Sequence, residues 1–379
     1  MHCHVLNQQP FLGGAEVYTL FFTRALLDLG CEVTLYIHPQ ARHWQTLAHP
    51  KLRIEAVAES DALVGRLPAS RQWLVTHAPI SPAFASYAKA NHLLTGFCHM
   101  PLAGRRPGVL TEYHRVFGVS NYVLETARAA GMENLDPEPC YGMVDFDRFA
   151  AAGDGPIHQG QLYTWDKRKF RDSAYGLLES AARPLRALLQ PPKAFVKRPG
   201  HTLGIVSGIG PIKQFDRLFG HIAPIIAAVP DVSLEIFGWG GYRSVADLRA
   251  VLKPLGRRAR FWGYQQYPQR IYPQLDYLLS GLPEKEALGL NLLEAQALGT
   301  PVLAVNAPPF TETVLDGASG FLYRDPREDA GADFRRVLAQ ALAGPRPNPH
   351  TATAHLARFS QQAFGARIAC MLESARQAL

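Results

Sequence analysis

One stretch, Pro283 to Val302 (PEKEALGLNLLEAQALGTPV), constrains the fold of this chain more than any other. Its apolar residues recur at helical spacing from Asn291 to Leu298, and Gly299 to Pro301 then supply the glycine stop and proline that often end a helix. The next residues, Val302 to Val305, are a short apolar run typical of a buried strand. A helix that returns into such a strand predicts a parallel α/β sheet, whose ligands bind at the carboxyl edge.

Two carboxylates, Glu286 and Glu294, flank the start of this helix. The first N–H groups of a helix have no partner inside it, and the helix dipole adds partial positive charge there, so an anion binds well. The residues expected to meet that anion are Leu288, Gly289, Leu290 and Asn291. Glu294, about one turn into the helix, is placed to accept hydroxyl groups beside it. An anion next to a polyol describes a nucleotide diphosphate sugar, although two Glu at this spacing are also common on a solvated surface.

The stretch resembles the signature of retaining GT-B glycosyltransferases of family 4, in which two Glu separated by seven residues precede a Gly-Thr-Pro-Val strand. The similarity continues through Glu312 to Val314 (ETV) and Asp316 to Leu322 (DGASGFL). The resemblance implies an α/β protein of GT-B fold, with two Rossmann-like parallel-sheet domains facing an interdomain cleft. It also implies a C-terminal helix that crosses back to the N-terminal domain, here residues 359–379.

The composition is that of a soluble globular protein large enough for two domains. Hydrophobic residues make up 47% of the 379 residues, and no apolar run approaches the ~18 to 20 residues of a membrane span. The N-terminus lacks a signal-peptide pattern, and the five cysteines show no metal-type pairing, so we expect a cytoplasmic protein with reduced thiols. The net charge of +7 suits anionic ligands or an anionic membrane face. No aromatic-studded basic motif points to nucleic acid.

Residues 1–150 are predicted to form the N-terminal, acceptor-binding domain. A strand over His2 to Gln8 leads through a glycine loop into a helix over Ala15 to Leu29. The loop resembles the family's Gly-Gly-Ala-Glu segment, in which the helix faces the cleft. That resemblance makes Gly13 and Gly14 candidates for the donor phosphate and Glu16 a candidate for the acceptor, whereas paired glycines alone would indicate only a turn.

Three polar residues follow a further strand of this domain, predicted over Leu93 to Cys98. His99 comes directly after that strand, where it is a candidate for catalysis and for acceptor binding. The alternative is a structural loop histidine. Arg105 and Arg106 lie just beyond and are candidates for an anionic acceptor, or else part of a solvated face. An earlier strand, predicted over Leu74 to His77, also ends in a polar position.

The middle of the chain contains a linker and an insertion. Cys140 to Phe149 resembles the family segment between the two halves, with Tyr141 in place of Asn. Asp145 to Asp147 is a D-x-D triplet, which binds a metal in another glycosyltransferase fold, but the match to the linker favours no metal site here. Residues 151–201 match the family poorly and are predicted to be a basic insertion. Its basic, aromatic-bordered segment over 163–198, with an amphipathic run from Ala174 to Leu189, predicts either peripheral contact with an anionic membrane or a solvated, packed helix.

Residues 202–358 are predicted to form the C-terminal, nucleotide-sugar-binding domain. Its first loop, Gly208 to Gln214 (GIGPIKQ), resembles the family loop Gly-Arg-Leu-x-x-x-Lys-Gly, whose Arg and Lys hold the donor diphosphate. Lys213 matches the lysine, Gly208 stands at the arginine position, and Gln214 replaces the final glycine. Arg243 is a possible substitute cation. The donor-binding candidates of this loop are Gly208, Gly210 and Lys213.

These residues predict a glycosyltransferase that needs neither a metal nor a cofactor. Because a departing diphosphate gains negative charge, Lys213 and the helix N–H groups would lower the barrier. Glu294 would accept the ribose hydroxyls, and Glu286 would hold the transferred sugar without acting as a nucleophile. The resemblance implies retention by front-face attack, a UDP- or GDP-linked donor, and a glycan or lipid-linked acceptor in cell-envelope polysaccharide synthesis. A nucleotide-sugar epimerase of the same architecture and an inactive binding subunit are the open alternatives; the missing arginine at Gly208 favours the second.

Overall fold

The computed structural model describes residues 1–145, 155–164 and 193–379, together with positions 174, 178, 181 and 182. The chain forms two compact units, Met1–Val144 with Ala357–Leu379, and Asp145–Leu356. Phe146 and Asp147 of the D-x-D triplet lie outside the described residues, as does most of the predicted membrane-contacting run.

The first unit contains a six-stranded parallel sheet with strand order β3-β2-β1-β4-β5-β6. The central strands are buried at almost every position, as expected for a parallel sheet that is covered on both faces. The strands are β1 (His2–Asn7), β2 (Glu32–Ile37), β3 (Leu52–Ala56), β4 (Trp73–Thr76), β5 (Leu93–Cys98) and β6 (Arg115–Gly118). The helices before the crossing to the second unit are α1 (Gly14–Asp28), α2 (Pro82–Asn91) and α3 (Asn121–Ala129).

The second unit contains another six-stranded parallel sheet, with strand order β12-β11-β10-β7-β8-β9. Its strands are β7 (His201–Val206), β8 (Val232–Phe237), β9 (Ala259–Gly263), β10 (Tyr277–Leu279), β11 (Val302–Val305) and β12 (Gly320–Tyr323). Its helices are α4 (Phe215–Ala227), α5 (Tyr242–Val251), α6 (Leu290–Ala297), α7 (Phe310–Thr313), α8 (Pro326–Asp329), α9 (Ala332–Ala343) and α10 (Thr353–Ala357). The two parallel sheets confirm the predicted α/β class.

The sequence pattern predicts a helix over Val245 to Leu255, whereas helix α5 of the structure has other bounds. The helix begins at Tyr242, directly after Gly241, and ends at Val251. Pro254 lacks the N–H that an α-helix needs, so the chain continues as a 3₁₀ segment over Lys253–Arg258. The sequence pattern missed the first turn because only Val245 and Leu248 of this helix are buried.

The C-terminal helix α11 (Gln361–Ala378) lies in the first unit. Ser360 caps its start by accepting a hydrogen bond from the Ala363 N–H at 3.1 Å. Phe364 on its buried face packs edge-on against Tyr18 of α1, with ring centroids 5.4 Å apart. In the described part of the chain no helix, α11 included, is long and apolar enough to cross a bilayer.

Candidate functional site

Two loops meet at the carboxyl edge of the second sheet because their strands, β7 and β10, are neighbours. The N–H of Leu282 donates to the carbonyl of Lys213 at 3.0 Å. Gly281 permits this contact, since a Cβ at that position would lie 2.1 Å from the same carbonyl oxygen. The backbone contact therefore fixes Lys213 beside the loop that leads into α6.

The ammonium group of Lys213 forms an ion pair with the carboxylate of Glu286. The pair is mostly shielded from solvent, with side chains 23% and 13% exposed. Glu286 Oε1 also accepts a hydrogen bond from the Ala287 N–H at 3.2 Å, which orients the carboxylate. The structure thus brings together two residues that the sequence analysis assigned to the same chemical step.

Gln214, which stands where the related loop has glycine, adopts a left-handed backbone conformation. Its φ of 51° and ψ of 36° lie in the left-handed region, which costs an L-residue about 1–2 kcal/mol. The side chain is buried and donates to Glu284 Oε2 at 3.0 Å. Arg217 also donates to it, at 3.4 Å. These hydrogen bonds hold the loop in its turn although the residue is not glycine.

Helix α6 begins at Leu290, one residue before the predicted start, and Gly289 precedes it with a φ of 87°. No side chain of the described residues caps this end. Among the described residues, no acceptor lies within hydrogen-bond distance of the N–H groups of Gly289, Leu290 and Asn291. The helix start therefore keeps the free donors that suit an anion. Leu288 is buried, whereas the Asn291 side chain donates to the Val206 carbonyl at 3.1 Å.

A cavity of about 200 Å³ lies next to the start of α6, entirely within the second unit. Gly208, Asn291 and Glu294 contribute to its lining. The rings of Trp239 and Tyr264 also line it and stack on each other, with centroids 4.3 Å apart and planes 25° apart. Binding sites for whole small molecules usually measure about 300–1,000 Å³, so this cavity suits part of a ligand, such as a base with its ribose.

Tyr272 orients Glu294 in this cavity. Its O–H donates to Glu294 Oε2 at 2.7 Å, and both side chains line the cavity. Sequence analysis missed Tyr272, Trp239 and Tyr264, since none of them belongs to a local motif.

The remaining candidate residues of the second unit are Gly208, Gly210 and Arg243, and each has a different environment. Gly208 lines the cavity. A Cβ added to Gly208 would meet no heavy atom of the described residues within 4 Å, so there is room for a side chain at this position. Gly210 accepts the Lys213 N–H at 3.1 Å and shapes the loop. Arg243 is not among the described residues that line the cavity; its exposed side chain pairs with Asp247 at 3.6 Å. No group of three or more described His, Cys, Asp or Glu residues is arranged to hold a metal ion.

The glycine loop of the first unit is closed by Glu16. This side chain is 5% exposed, and a Cβ on Gly13 would lie 2.9 Å from its Oε2. Burial raises the pKa of the Glu16 carboxyl, against the opposing effect of hydrogen bonds from backbone N–H groups and from Asn7. Gly14 is the first residue of α1 and is exposed. Glu16 therefore stabilises the loop, and its acceptor-binding role stays a prediction.

His99 contacts a second histidine that the sequence analysis did not single out. Its Nε2 lies 3.1 Å from Nδ1 of His77, which follows the neighbouring strand β4 and is 3% exposed. Burial lowers the pKa of His99 to about 3 and holds that of His77 well below its usual value. Both rings are therefore neutral near pH 7. Arg105 and Arg106 lie in the loop after His99 and are exposed.

The loops that carry Lys213 and Glu286 lie in a region that resembles a known protein family. Residues 200–340 match the family model described as "Glycosyl transferases group 1". A D-inositol 3-phosphate glycosyltransferase of Segniliparus rotundus is 28% identical, covering 60% of this chain and 54% of that protein. D-inositol 3-phosphate glycosyltransferase 2 of Catenulispora acidiphila is 26% identical, covering 94% and 89%. The chain thus spans about half of one relative and most of the other.

The fold is matched over almost the whole chain. The crystal structure of Anabaena HepE in complex with UDP superposes with a TM-score of 0.70 at 17% identity, covering 99% of this chain and 100% of that one. These likenesses support a GT-B glycosyltransferase. The matched family region includes Lys213, Glu286 and Glu294, so these three candidate residues lie in the part of the chain that resembles the family most clearly.

Proposed function

We propose that this chain is a family 4 type glycosyltransferase that retains anomeric configuration and uses no metal ion. The donor is a UDP- or GDP-linked sugar, and the acceptor is a glycan or a lipid-linked molecule. One observation carries the proposal: a lysine, free helix N–H groups and a carboxylate-lined cavity occur together at one edge of the second sheet. The lysine and the N–H groups suit a diphosphate, and the cavity suits the ribose and base of the same ligand.

The cavity suits the nucleoside. Glu294 accepts the Tyr272 hydroxyl on Oε2 and lines the cavity, where its carboxylate is placed to meet a ribose hydroxyl. The Trp239–Tyr264 stack offers an aromatic face to a base, and such stacking contributes about 1–3 kcal/mol per base. The UDP bound by HepE supports a uridine nucleotide as the first donor to test.

The diphosphate is the leaving group. As the anomeric C–O bond breaks, negative charge grows on the phosphate oxygens, and Lys213 with the α6 N–H groups stabilises it. Glu286 holds a hydroxyl of the transferred sugar and keeps Lys213 in position through their ion pair. The acceptor oxygen bonds to the anomeric carbon on the face that the diphosphate leaves, and a phosphate oxygen takes its proton.

The first unit supplies the acceptor groups in this proposal: Gly13 and Gly14 near the phosphate, and Glu16, His99, Arg105 and Arg106 for the acceptor. The two exposed arginines favour an anionic acceptor, in keeping with the inositol phosphate named for both curated relatives. A role in cell-envelope polysaccharide synthesis on the cytoplasmic side, with peripheral membrane contact through 163–198, completes the proposal. Most of that contacting run lies outside the described residues.

Titration with UDP, GDP and a panel of their sugars tests the donor site, with Glu294→Ala as the key variant. Loss of a hydrogen bond to a charged group costs about 1.5–3 kcal/mol, so the Kd of the preferred nucleotide should rise roughly 10- to 100-fold. Glu328→Ala removes an exposed carboxylate on α8 and should leave Kd unchanged. An unchanged Kd in Glu294→Ala would contradict the proposed ribose contact.

The same nucleotide sugars separate the alternatives. An epimerase would convert its nucleotide sugar with no acceptor present. An inactive subunit would bind the donor tightly without hydrolysing or transferring it. Transfer that depends on an added acceptor is the result expected here.

A further inference from the structure

His77 encloses the inner side of His99. The two residues follow β4 and β5, which pair in parallel register through Thr76 and Gly96. Phe97 stacks on the His77 ring at 4.6 Å, and Phe22 and Tyr18 contact the same ring at 4.9 and 5.9 Å. His77 is therefore held by an aromatic shell and has little freedom to rotate.

One proton lies between His77 Nδ1 and His99 Nε2 in the hydrogen bond that joins the two rings. Because both imidazoles are neutral, each carries one N–H, and either His77 Nδ1 or His99 Nε2 donates in the 3.1 Å hydrogen bond. The choice decides which nitrogen of His99 bears its proton.

The second ring nitrogen of His77, Nε2, indicates which of the two rings donates the hydrogen bond. Its Nε2 is buried and has no hydrogen-bond partner among the described residues. If His99 donated, His77 would have to bury an unpaired N–H at Nε2. If His77 donates from Nδ1, Nε2 is only an unused acceptor. Orphaned buried N–H groups are rarer than under-used acceptors, so the second arrangement is favoured.

We propose that His77 is a positioning residue that fixes the tautomer of His99, donating from Nδ1 to His99 Nε2 so that His99 presents Nδ1–H to substrate. His99 is only partly buried, and the hydrogen bond to His77 uses its Nε2, which leaves Nδ1 as the nitrogen on its other side. This inference rests on the proposed function, in which His99 meets the substrate. It makes His99 a neutral hydrogen-bond donor to a substrate oxygen and excludes the role of a general base for its exposed nitrogen.

Among the described residues, no charged side chain forms a hydrogen bond or an ion pair with either histidine. The groups around the His77 ring are the aromatic rings of Tyr18, Phe22 and Phe97, and the charge effect on His77 comes from His99. Tyr18 donates its hydroxyl proton to the Cys140 carbonyl at 2.7 Å, so that proton is not available to either histidine. The tautomer is therefore set by the two rings themselves.

Nitrogen NMR of the full-length protein labelled in histidine reads the tautomer directly. The His99 signals are assigned by their loss in His99→Gln. In the unaltered protein, His99 should carry its proton on Nδ1, without change between pH 6 and 8. A His99 protonated on Nε2 would overturn the proposal, and this measurement needs no variant of His77.

His77→Phe keeps the stacking on Phe97 but removes the donor, and His77→Asn restores an amide N–H near Nδ1. His77→Phe should lower kcat roughly 10-fold or more, as loss of a hydrogen bond does, with donor KM changed less than about 3-fold. His77→Asn should recover most of kcat. An unchanged kcat in His77→Phe, or no recovery in a folded His77→Asn, would contradict the positioning role.

The two proposals fail in different ways. If Glu294→Ala weakens donor binding as expected while His77→Phe transfers normally, the glycosyltransferase function stands and the role of His77 is wrong. If no nucleotide sugar binds at all, the donor proposal fails, while the protonated nitrogen of His99 still reports on the histidine pair.

Discussion

The ammonium group of Lys213 pairs with the carboxylate of Glu286, although these residues belong to different loops of the second unit. Two backbone features create the pair. Gly281 lets the chain approach the Lys213 carbonyl, and left-handed Gln214 turns the loop into α4 directly after the lysine. A cation that is already held by a carboxylate needs little reorganisation when a diphosphate arrives, and such preorganisation is what lowers a barrier.

Replacing either partner of this pair should therefore impair the chemical step more than donor binding. Lys213→Ala should lower kcat about 10²- to 10³-fold, the usual effect of removing one group that stabilises developing negative charge. Glu286→Gln keeps the shape and should lower kcat at least about 10-fold. Because the two residues contact each other, the double variant should lose less than the product of the single effects. Initial rates at saturating donor measure all three.

Lys253→Ala is the matched control, since it removes one exposed lysine of the same unit. Its kcat should equal that of the unaltered enzyme. Fully multiplicative losses in the double variant would mean that the ion pair has no role in the reaction.

Gly208 allows a gain-of-function prediction. It lines the cavity at the position where the related loop carries arginine, and nothing lies within 4 Å of an added Cβ. Gly208→Arg should therefore fit and add a second cation for the diphosphate, lowering the Kd of the nucleotide about 10-fold, with an effect that weakens as salt is raised. Isothermal titration at low and high salt measures this change. Gly208→Gln has a long uncharged side chain and should give no such gain. Equal affinities for the two variants would show that the diphosphate does not reach this loop.

Gly281→Ala should separate the backbone contact from the charges. Its Cβ would lie 2.1 Å from the Lys213 carbonyl, so the loops must move apart and the Lys213–Glu286 pair with them. We expect kcat to fall by at least about 10-fold and stability to drop by about 1–3 kcal/mol, as overpacking does.

Gly220→Ala in α4 has the opposite expectation, because an added Cβ there meets nothing within 4 Å. It should stabilise the protein by about 0.5–1 kcal/mol and leave kcat unchanged. Thermal unfolding and initial rates compare the two variants. If both alanine variants behave alike, the close contact at Gly281 does not hold the site together.

The sequence predicted those elements whose signals are local. Gly289 and Gly299 frame α6, and the continuous apolar run Val302 to Val305 is strand β11 in the structure. Strand β3 was not predicted because it lies at the edge of its sheet, where Arg53 and Glu55 interrupt the apolar pattern. The apolar pattern of a strand reflects how many of its side chains are buried. An edge strand buries few side chains, so its pattern is weak.

The site residues that the sequence did not predict are those that meet only through contacts between distant segments of the chain. The Glu294 carboxylate was predicted from its place in α6, but its partner Tyr272 is 22 positions earlier in a 3₁₀ turn with no motif. The same holds for His77, which meets His99 only because β4 and β5 are neighbours. Spacing along the chain gives residue types and helix faces, whereas such pairs depend on strand order.

Acid should destabilise the first unit through its buried histidines. Burial lowers the pKa of His4 to about 4 and of His99 to about 3, and that of His77 lies well below its usual value. In the unfolded chain these rings take up protons near pH 6.5, so below that pH the unfolded state binds more protons. Their contribution to stability is therefore complete above about pH 6.5 and is lost as pH falls toward 3 to 4.

His77→Phe tests this sign. At pH 8 all three histidines are neutral in both states, so the Tm difference between variant and unaltered protein reports packing alone. From pH 8 to pH 5 the unaltered protein should lose more Tm than the variant, by about 2–4 °C for each kcal/mol of proton linkage removed. Differential scanning calorimetry at the two pH values gives the four Tm values. Equal losses in the two proteins would mean that His77 takes up its proton without unfolding.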